Sequence, residues 1–402
     1  MFGVIGKTTI FVPLNESIMN NFCIIMAGGI GSRFWPLSKD NYPKQFLDIL
    51  GTGKSFIRST YERFSPVIPD ENFLVVTNKA YKHLVLEHLP MLRPDQVLCE
   101  PARRNTAPCI AYAAYHIQSR CADANIVVTP ADHLVTNEVE FQRIIRLGFD
   151  FLANNPQALM TIGIKPSRPE TGYGYIQVPK ENAELRNTKY STKSMLNEEC
   201  KEPSSIQHSA FSIQHSALLE VVKVEMFKEK PDYDTAVQFV AEGNYFWNSG
   251  IFLWTLDGIM QAFKQYLPEM VTVFEKGIYN FGTPEEQDFI NDHFVDCPNI
   301  SIDYGVMEKS PNTYTIPADF GWSDIGTWGS LFTHAKRDEN GNAKRGKVVS
   351  VDNKNTIINI EEDTEAVVEG LEDYLVAYRD HSLLVCRLHD EQQIKVWIEG
   401  LK

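Results

Sequence analysis

Arg33, Lys44, Asp132, Lys230 and Asp324 stand in sequence contexts suited to chemistry on a phosphate. The first two belong to a glycine loop. A strand-like run, Asn21–Ala27 (NFCIIMA), passes straight into Gly28-Gly29-Ile30-Gly31-Ser32-Arg33-Phe34-Trp35-Pro36-Leu37, with Pro43-Lys44-Gln45-Phe46 close behind. Glycines after a strand let backbone N–H groups converge on phosphate oxygens, and Arg33 and Lys44 can neutralise the charge that gathers there. The pattern points to a nucleotide or a phosphoester.

Two familiar glycine motifs are excluded. A dinucleotide fingerprint beginning at Gly29-Ile30-Gly31 needs a third glycine where Phe34 stands, which disfavours a nicotinamide or flavin cofactor. Gly53-Lys54-Ser55 resembles the end of a P-loop, but the glycine that should open it falls on Asp48.

The two carboxylates lie far apart in sequence. Asp132 follows the strand-like IVVT in Thr129-Pro130-Ala131-Asp132-His133, just beyond a strand's carboxyl end, where open α/β sheets hold ligands. Asp324 sits in Asp319-Phe320-Gly321-Trp322-Ser323-Asp324-Ile325-Gly326-Thr327-Trp328, among aromatics and glycines that can fix it rigidly. Two carboxylates with phosphate oxygens and water make a typical magnesium environment. His133 is read as a hydrogen-bonded structural residue beside the site. Neither a nucleophile elbow nor a Cys–His pairing is evident, so covalent catalysis has no support in the sequence. Glu170–Ile176 (ETGYGYI), Phe227–Asp232 (FKEKPD) and Trp247–Phe252 (WNSGIF) suit a small polar ligand, with Lys230 able to hold a phosphate.

Elements that position these residues follow from periodicity. Phe73–Thr77, Ile126–Thr129 and Met160–Ile164 read as buried strands alternating with helical patterns, the mark of a doubly wound, mostly parallel α/β sheet. Asn105-Thr106-Ala107-Pro108 opens a helix over CIAYAAYHIQ, with Thr106 expected as the N-cap, Pro108 in the first turn, and free N–H groups facing a ligand. Tyr173–Val178 and Leu219–Phe227 read as strands flanking an insertion at 181–217 that carries the tandem copy SIQHSAF-SIQHSAL. From about Ala343, short runs at Lys347–Val351, Thr356–Ile360, Ala366–Val368, Tyr374–Arg379 and Ser382–Cys386 predict a β-rich module, one or two coils of a parallel β-helix. Its expected use is homodimerisation or covering one edge of the catalytic domain, and no catalytic constellation is legible in it. The domain reading is a tail at 1–18, a catalytic domain at 19–338 and the β-rich domain at 339–402.

The chain has 402 residues, 43% of them hydrophobic, enough for a large α/β domain and a smaller one. A formal net charge of −14, with no basic stripe, argues against nucleic acid as a partner. Seven scattered cysteines without a C-x-x-C pair suggest neither a disulfide framework nor a zinc site, and a cytoplasmic protein is expected. No run is long and apolar enough for a membrane span, so no membrane partner is expected. Residues 1–18 lack a signal-peptide pattern, and Met19 is the expected true start.

Taken together, GGIGSRFWPLS and PKQF resemble the sugar-1-phosphate nucleotidyltransferase family. EPARRNTAP, TPADH, TGYGYI, FKEKPD, WNSGIF, IDYGVMEKS and DFGWSDIGTW resemble its mannose-1-phosphate guanylyltransferase branch, and the likeness runs from about Phe22 to Trp328. The resemblance implies a nucleotidyltransferase (Rossmann-like) fold and Mg²⁺-dependent transfer of GMP from GTP to mannose 1-phosphate. It implies that Gly28, Gly29 and Gly31 wrap the triphosphate, and that Arg33 and Lys44 stabilise the transferring and leaving phosphates. Asp132 and Asp324 would hold the metal, and Glu100, Asn105, Thr106 and Ala107 would lie against the base. Gly174, Glu229 and Asn248 would meet sugar hydroxyls, with Lys230 on the incoming sugar phosphate. A fused isomerase domain of longer relatives is not expected. A pyrophosphorylase for another sugar (GDP-heptose or GDP-glucose) and a non-catalytic regulatory homologue stay open as alternatives.

Overall fold

The computed structural model describes residues 20–181 and 221–401. The expected tail, and all of the expected insertion beyond Glu181, lie outside the described residues.

A ten-stranded sheet forms the centre, and its main path runs β3-β2-β1-β4-β10-β6-β11-β8. β1 (Asn21–Met26), β2 (Phe73–Asn78), β3 (Val97–Glu100) and β4 (Asn125–Pro130) pair in parallel. Their sequences are nearly unbroken apolar runs because both faces are covered, as parallel sheets require. β5 (Leu134–Val135) leaves the sheet, and β6 (Leu159–Ile164) returns to it. β10 (Tyr245–Thr255) runs antiparallel between β4 and β6, and β11 (Thr313–Ala318) is parallel to β6. The sheet is therefore mixed and mostly parallel, as its alternating pattern predicts.

WNSGIF, expected to suit a small polar ligand, lies inside β10, which accommodates it by a register shift between Asn248 and Phe252 with Gly250 at φ 72°. The single strand expected over Leu219–Phe227 is, within the described residues, two short ones, β8 (Val222–Lys223) against β11 and β9 (Met226–Lys228) against β7 (Tyr175–Gln177).

Helices cover both faces. α1 (Phe56–Phe64), α2 (Lys82–His88) and α4 (Glu138–Asn154) pack on one face. α3 (Thr106–Gln118) packs on the other and is buried from Ala107 to Ile117, which explains why its sequence is apolar all round. Gly148 of α4 lets helix and sheet close together, since a Cβ there would stand 2.8 Å from Leu253 Cδ2.

The C-terminal unit stacks β13 (Ala343–Arg345), β15 (Ile357–Ile360) and β17 (Tyr374–Arg379) in parallel, with β14 (Lys347–Val351) parallel to β16 (Glu365–Glu369) as a second wall. β18 (Ser382–Arg387) closes it against β17. Buried Asn342 and Asn353 bind the backbone between coils: Asn342 Nδ2 donates to the Asn353 carbonyl (2.8 Å) and Asn353 Nδ2 to that of Val368 (2.7 Å). Its inner face shares a core with the glycine-loop segment, as Phe34, Leu37, Ile325 and Trp328 pack with Ala343, Leu375, Leu384 and Ile394. Among the described residues no helix is long and apolar enough to cross a membrane.

Candidate active site

The topology gathers the chemical residues at one edge of the sheet. The glycine loop leaves the carboxyl end of β1, Glu100 ends β3, and Asp132 lies just past β4. Asp324 follows β11, and because β10 is antiparallel its amino end carries Asn248 to the same edge. A small ribbon finishes the assembly: β12 (Trp322–Ser323) pairs with β5, Trp322 opposite Val135 and Ser323 opposite Leu134, drawing the Asp324 loop beside Asp132.

Lys44 ties the two carboxylate loops together. It is 3% exposed, and its ammonium donates to Asp132 Oδ2 (2.9 Å), to the Asp132 carbonyl (3.0 Å) and to the Asp324 carbonyl (2.8 Å). Burial pushes the Asp132 carboxyl up, but the Lys44 ammonium outweighs it and holds the acid below its ordinary range. Gly31 makes the approach of Lys44 possible: its φ is 71°, and a Cβ would stand 2.5 Å from Lys44 Cβ. Arg33 Nη1 donates to the Gly326 carbonyl (3.0 Å). Asp324 Oδ1 accepts from the Tyr173 hydroxyl (2.5 Å) and the Gly326 N–H (3.1 Å), and a Cβ on Gly326 would meet Asp324 Oδ2 at 2.5 Å. Gly31, Ser32, Arg33, Lys44, Asp132, His133, Asp324, Gly326 and Lys395 line one cavity of about 300 Å³. His133 accepts from the Trp322 indole at Nδ1 (3.2 Å), and burial lowers its pKa, so it is neutral near pH 7.

A second cluster forms around Gly174, Glu229 and Asn248. A Cβ on Gly174 would be 2.4 Å from Glu229 Oε2 and 3.4 Å from Asn248 Cβ, so the glycine leaves the space in which these three residues meet. Glu229 is 7% exposed; its Oε1 accepts from Lys230 Nζ, and its Oε2 has no partner among the described residues. Asn248 donates to Asp303 Oδ1 (2.8 Å) and accepts from Thr161 Oγ1 (2.8 Å). Burial, then the charge of Glu229, pushes Asp303 up to about 7.

The region expected to meet the base differs from its prediction. Asn105, not Thr106, caps α3, its Oδ1 accepting from the Thr106 N–H (3.0 Å) at φ 68°. The Ala107 N–H donates to the Ile300 carbonyl (3.1 Å), Thr106 Oγ1 accepts from the Ile302 N–H (2.8 Å), and Pro108 has no N–H to offer. The expected free donors at Thr106 and Ala107 are thus occupied, the first by its own cap and the second by the 300–302 segment. Glu100 is buried beside Gly28, whose Cβ position lies 3.7 Å from Glu100 Oε2. Burial raises its pKa to about 8, against a smaller opposing effect from Cys109, and its Oε1 is unpartnered among the described residues.

Three residues near these sites escaped sequence reasoning. Asp303 and Glu308, which accepts from the Glu229 N–H (2.9 Å), both lie in the quoted IDYGVMEKS, whose individual residues received no role. Lys395 comes from the C-terminal unit, where IKVW carries no motif.

A cavity lined by Arg33, Lys44, Lys395 and two carboxylates, beside a cluster of acidic and amide groups at the carboxyl edge of a doubly wound sheet, has the make-up of a nucleotidyltransferase site. The Nucleotidyl transferase family model matches residues 22–189 and 212–341, and the chain belongs to that family. The stretch 190–211 that it leaves out falls within the expected insertion. The chain is 34% identical over 94% of its length to the "Xanthan biosynthesis protein XanB" of Xanthomonas campestris pv. campestris, covering 73% of that protein. It is 33% identical, over 94% of its length and 75% of the relative, to a "Mannose-1-phosphate guanylyltransferase" of Escherichia coli. A crystal structure described as a "mannose-1-phosphate geranyltransferase", from Thermus thermophilus, superposes with a TM-score of 0.75 at 25% identity, covering 95% of this chain and 99% of that one.

Proposed function

We propose that the chain transfers GMP from GTP to α-D-mannose 1-phosphate, giving GDP-mannose and pyrophosphate by direct in-line attack. The observation that carries this reading is the Lys44 clamp, which bonds the Asp132 carboxylate and the Asp324 carbonyl so that both loops line one cavity with Arg33. The name of the Escherichia coli relative supports guanine and mannose as the pair.

The residues divide the work. Gly28, Gly29 and Gly31 leave the loop backbone open to the triphosphate, and Arg33 meets charge on the leaving phosphates. Lys44 holds the carboxylates in register and shares its charge with the reacting centre. Glu100, Asn105, Thr106 and Ala107 lie against the nucleoside, the last three as the walls of a closed helix end. Glu229 and Asn248 accept and donate to sugar hydroxyls above Gly174, and Lys230 meets the sugar phosphate. The attacking oxygen belongs to a phosphate monoester whose second pKa is about 6, so it is already ionised near neutrality and needs no general base. A neutral His133 engaged by Trp322 agrees with that.

The donor set fits Mg²⁺: Asp132 and Asp324 offer hard carboxylate oxygens, and Asp132 Oδ1 and Asp324 Oδ2 accept no hydrogen bond from the described residues. Bound there, Mg²⁺ would supply positive charge to the phosphate oxygens. Consumption of GTP fits a cytoplasmic setting.

The test is pyrophosphate release with Mg²⁺, crossing GTP, ATP, UTP and dTTP against mannose, glucose, glucosamine and heptose 1-phosphates. Release dominated by GTP with mannose 1-phosphate is expected. Dominance of another pair would replace the substrate, and silence throughout would replace the enzyme with a regulatory homologue.

A further inference from the structure

Lys395 is the cation in the phosphate cavity that nothing so far explains. Of the three that line it, Lys44 has all its donors engaged and Arg33 is bonded to the Gly326 carbonyl. Lys395 is exposed and has no hydrogen-bond or ion-pair partner among the described residues. Its backbone, by contrast, is held on two sides. The adjacent Ile394 is fully buried in the core shared with Phe34 and Trp328, and the short helix Ile394–Trp397 packs on Ser32–Phe34 of the glycine-loop segment. One turn earlier, Glu391 Oε2 accepts the Gly329 N–H (2.6 Å), and a Cβ on Gly329 would stand 2.9 Å from Glu391 Oε1. A free ammonium on a fixed stem, aimed into a cavity that must neutralise phosphate in a chain of net charge −14, is suited to bind an anion.

We infer that Lys395 is a phosphate-binding residue of this site, delivered by the C-terminal unit, and that it takes the pyrophosphate end of GTP. The assignment to that end follows from its neighbours: it shares the cavity with Gly31, Ser32 and Arg33, whereas Gly174, Glu229, Lys230 and Asn248 do not line it. The inference rests on reading the cavity as the triphosphate site. It gives the β-rich unit a direct part in substrate binding, because detaching that unit would remove a cation as well as a packing surface.

The test titrates inorganic pyrophosphate with Mg²⁺ into the full chain and measures KM for both substrates in wild type, Lys395→Ala and Lys395→Arg. Lys395→Ala is expected to weaken pyrophosphate binding and raise KM for GTP about tenfold, with KM for mannose 1-phosphate within about twofold. Lys395→Arg restores most of the loss, and the deficit shrinks as salt is raised. The side chain is exposed, so unfolding midpoints should coincide. Unchanged pyrophosphate binding in Lys395→Ala, or a loss confined to mannose 1-phosphate, would overturn the assignment alone. A wild-type chain that fails to bind pyrophosphate would overturn the reading of the cavity with it.

Discussion

Asp132 and Asp303 are both carboxylates at the same edge of the sheet, and what faces them is opposite. Asp132, partly exposed, meets an ammonium at 2.9 Å that holds it below its ordinary range. Asp303 is pushed up to about 7 by its burial first and then by Glu229, with Lys230 and Asn248 only partly offsetting them. One half of the site is compensated for handling fixed charge. The other half holds excess acceptors, including the unpartnered Glu229 Oε2, which neutral hydroxyl donors would satisfy. If the proposed substrates bind here, that difference keeps a polyphosphate and a sugar at separate ends of one edge.

Mutations can break this contrast at either side. Asp132→Asn or Asp324→Asn should lower turnover by on the order of a hundredfold or more with the fold intact, checked by steady-state kinetics beside circular dichroism. Near-normal turnover of both variants in Mg²⁺ would remove the metal assignment. Lys44→Met should cost about 1 kcal/mol of stability in denaturant unfolding, because it removes the ammonium's bonds to a partly exposed Asp132 carboxylate and to two carbonyls. On the sugar side, Lys230→Ala should raise KM for mannose 1-phosphate about tenfold and leave GTP unchanged; a defect confined to GTP would place Lys230 on the wrong substrate.

The smallest effect concerns pH. Asp303 titrates at about 3.9 when unfolded and at about 7 when folded, so the native state binds the extra proton between those values. Its contribution to stability is therefore present below about pH 4, declines as pH rises to about 7, and is flat beyond. Asp303→Asn keeps an acceptor for Asn248 and should flatten that decline, measured by denaturant unfolding at about pH 5 and about pH 8. An unchanged slope would mean that the Glu229–Asp303 repulsion is relieved in solution.

What was legible in the sequence was local. The glycine loop, the carboxylates after β4 and β11, and the coils of the β-rich unit each announce themselves within a few residues. The errors arose where a distant segment decides the outcome. Thr106 and Ala107 read as the open end of a helix because Ile300 and Ile302, which close it, lie almost two hundred positions away. WNSGIF carries no strand signal of its own, yet pairing with β4 and β6 makes it part of β10. Lys395 could not be found at all, since only the packing of Ile394 against Phe34 and Trp328 brings it to the loop.

The claim at the centre is that Lys44 gathers Asp132 and Asp324 into one metal and phosphate site. Crystals grown with GDP-mannose and Mn²⁺ in place of Mg²⁺ would test it by anomalous scattering. The account predicts a manganese peak bridged by the two carboxylates and touching the diphosphate. A peak bound by neither Asp132 nor Asp324, with the diphosphate fully occupied, would contradict it.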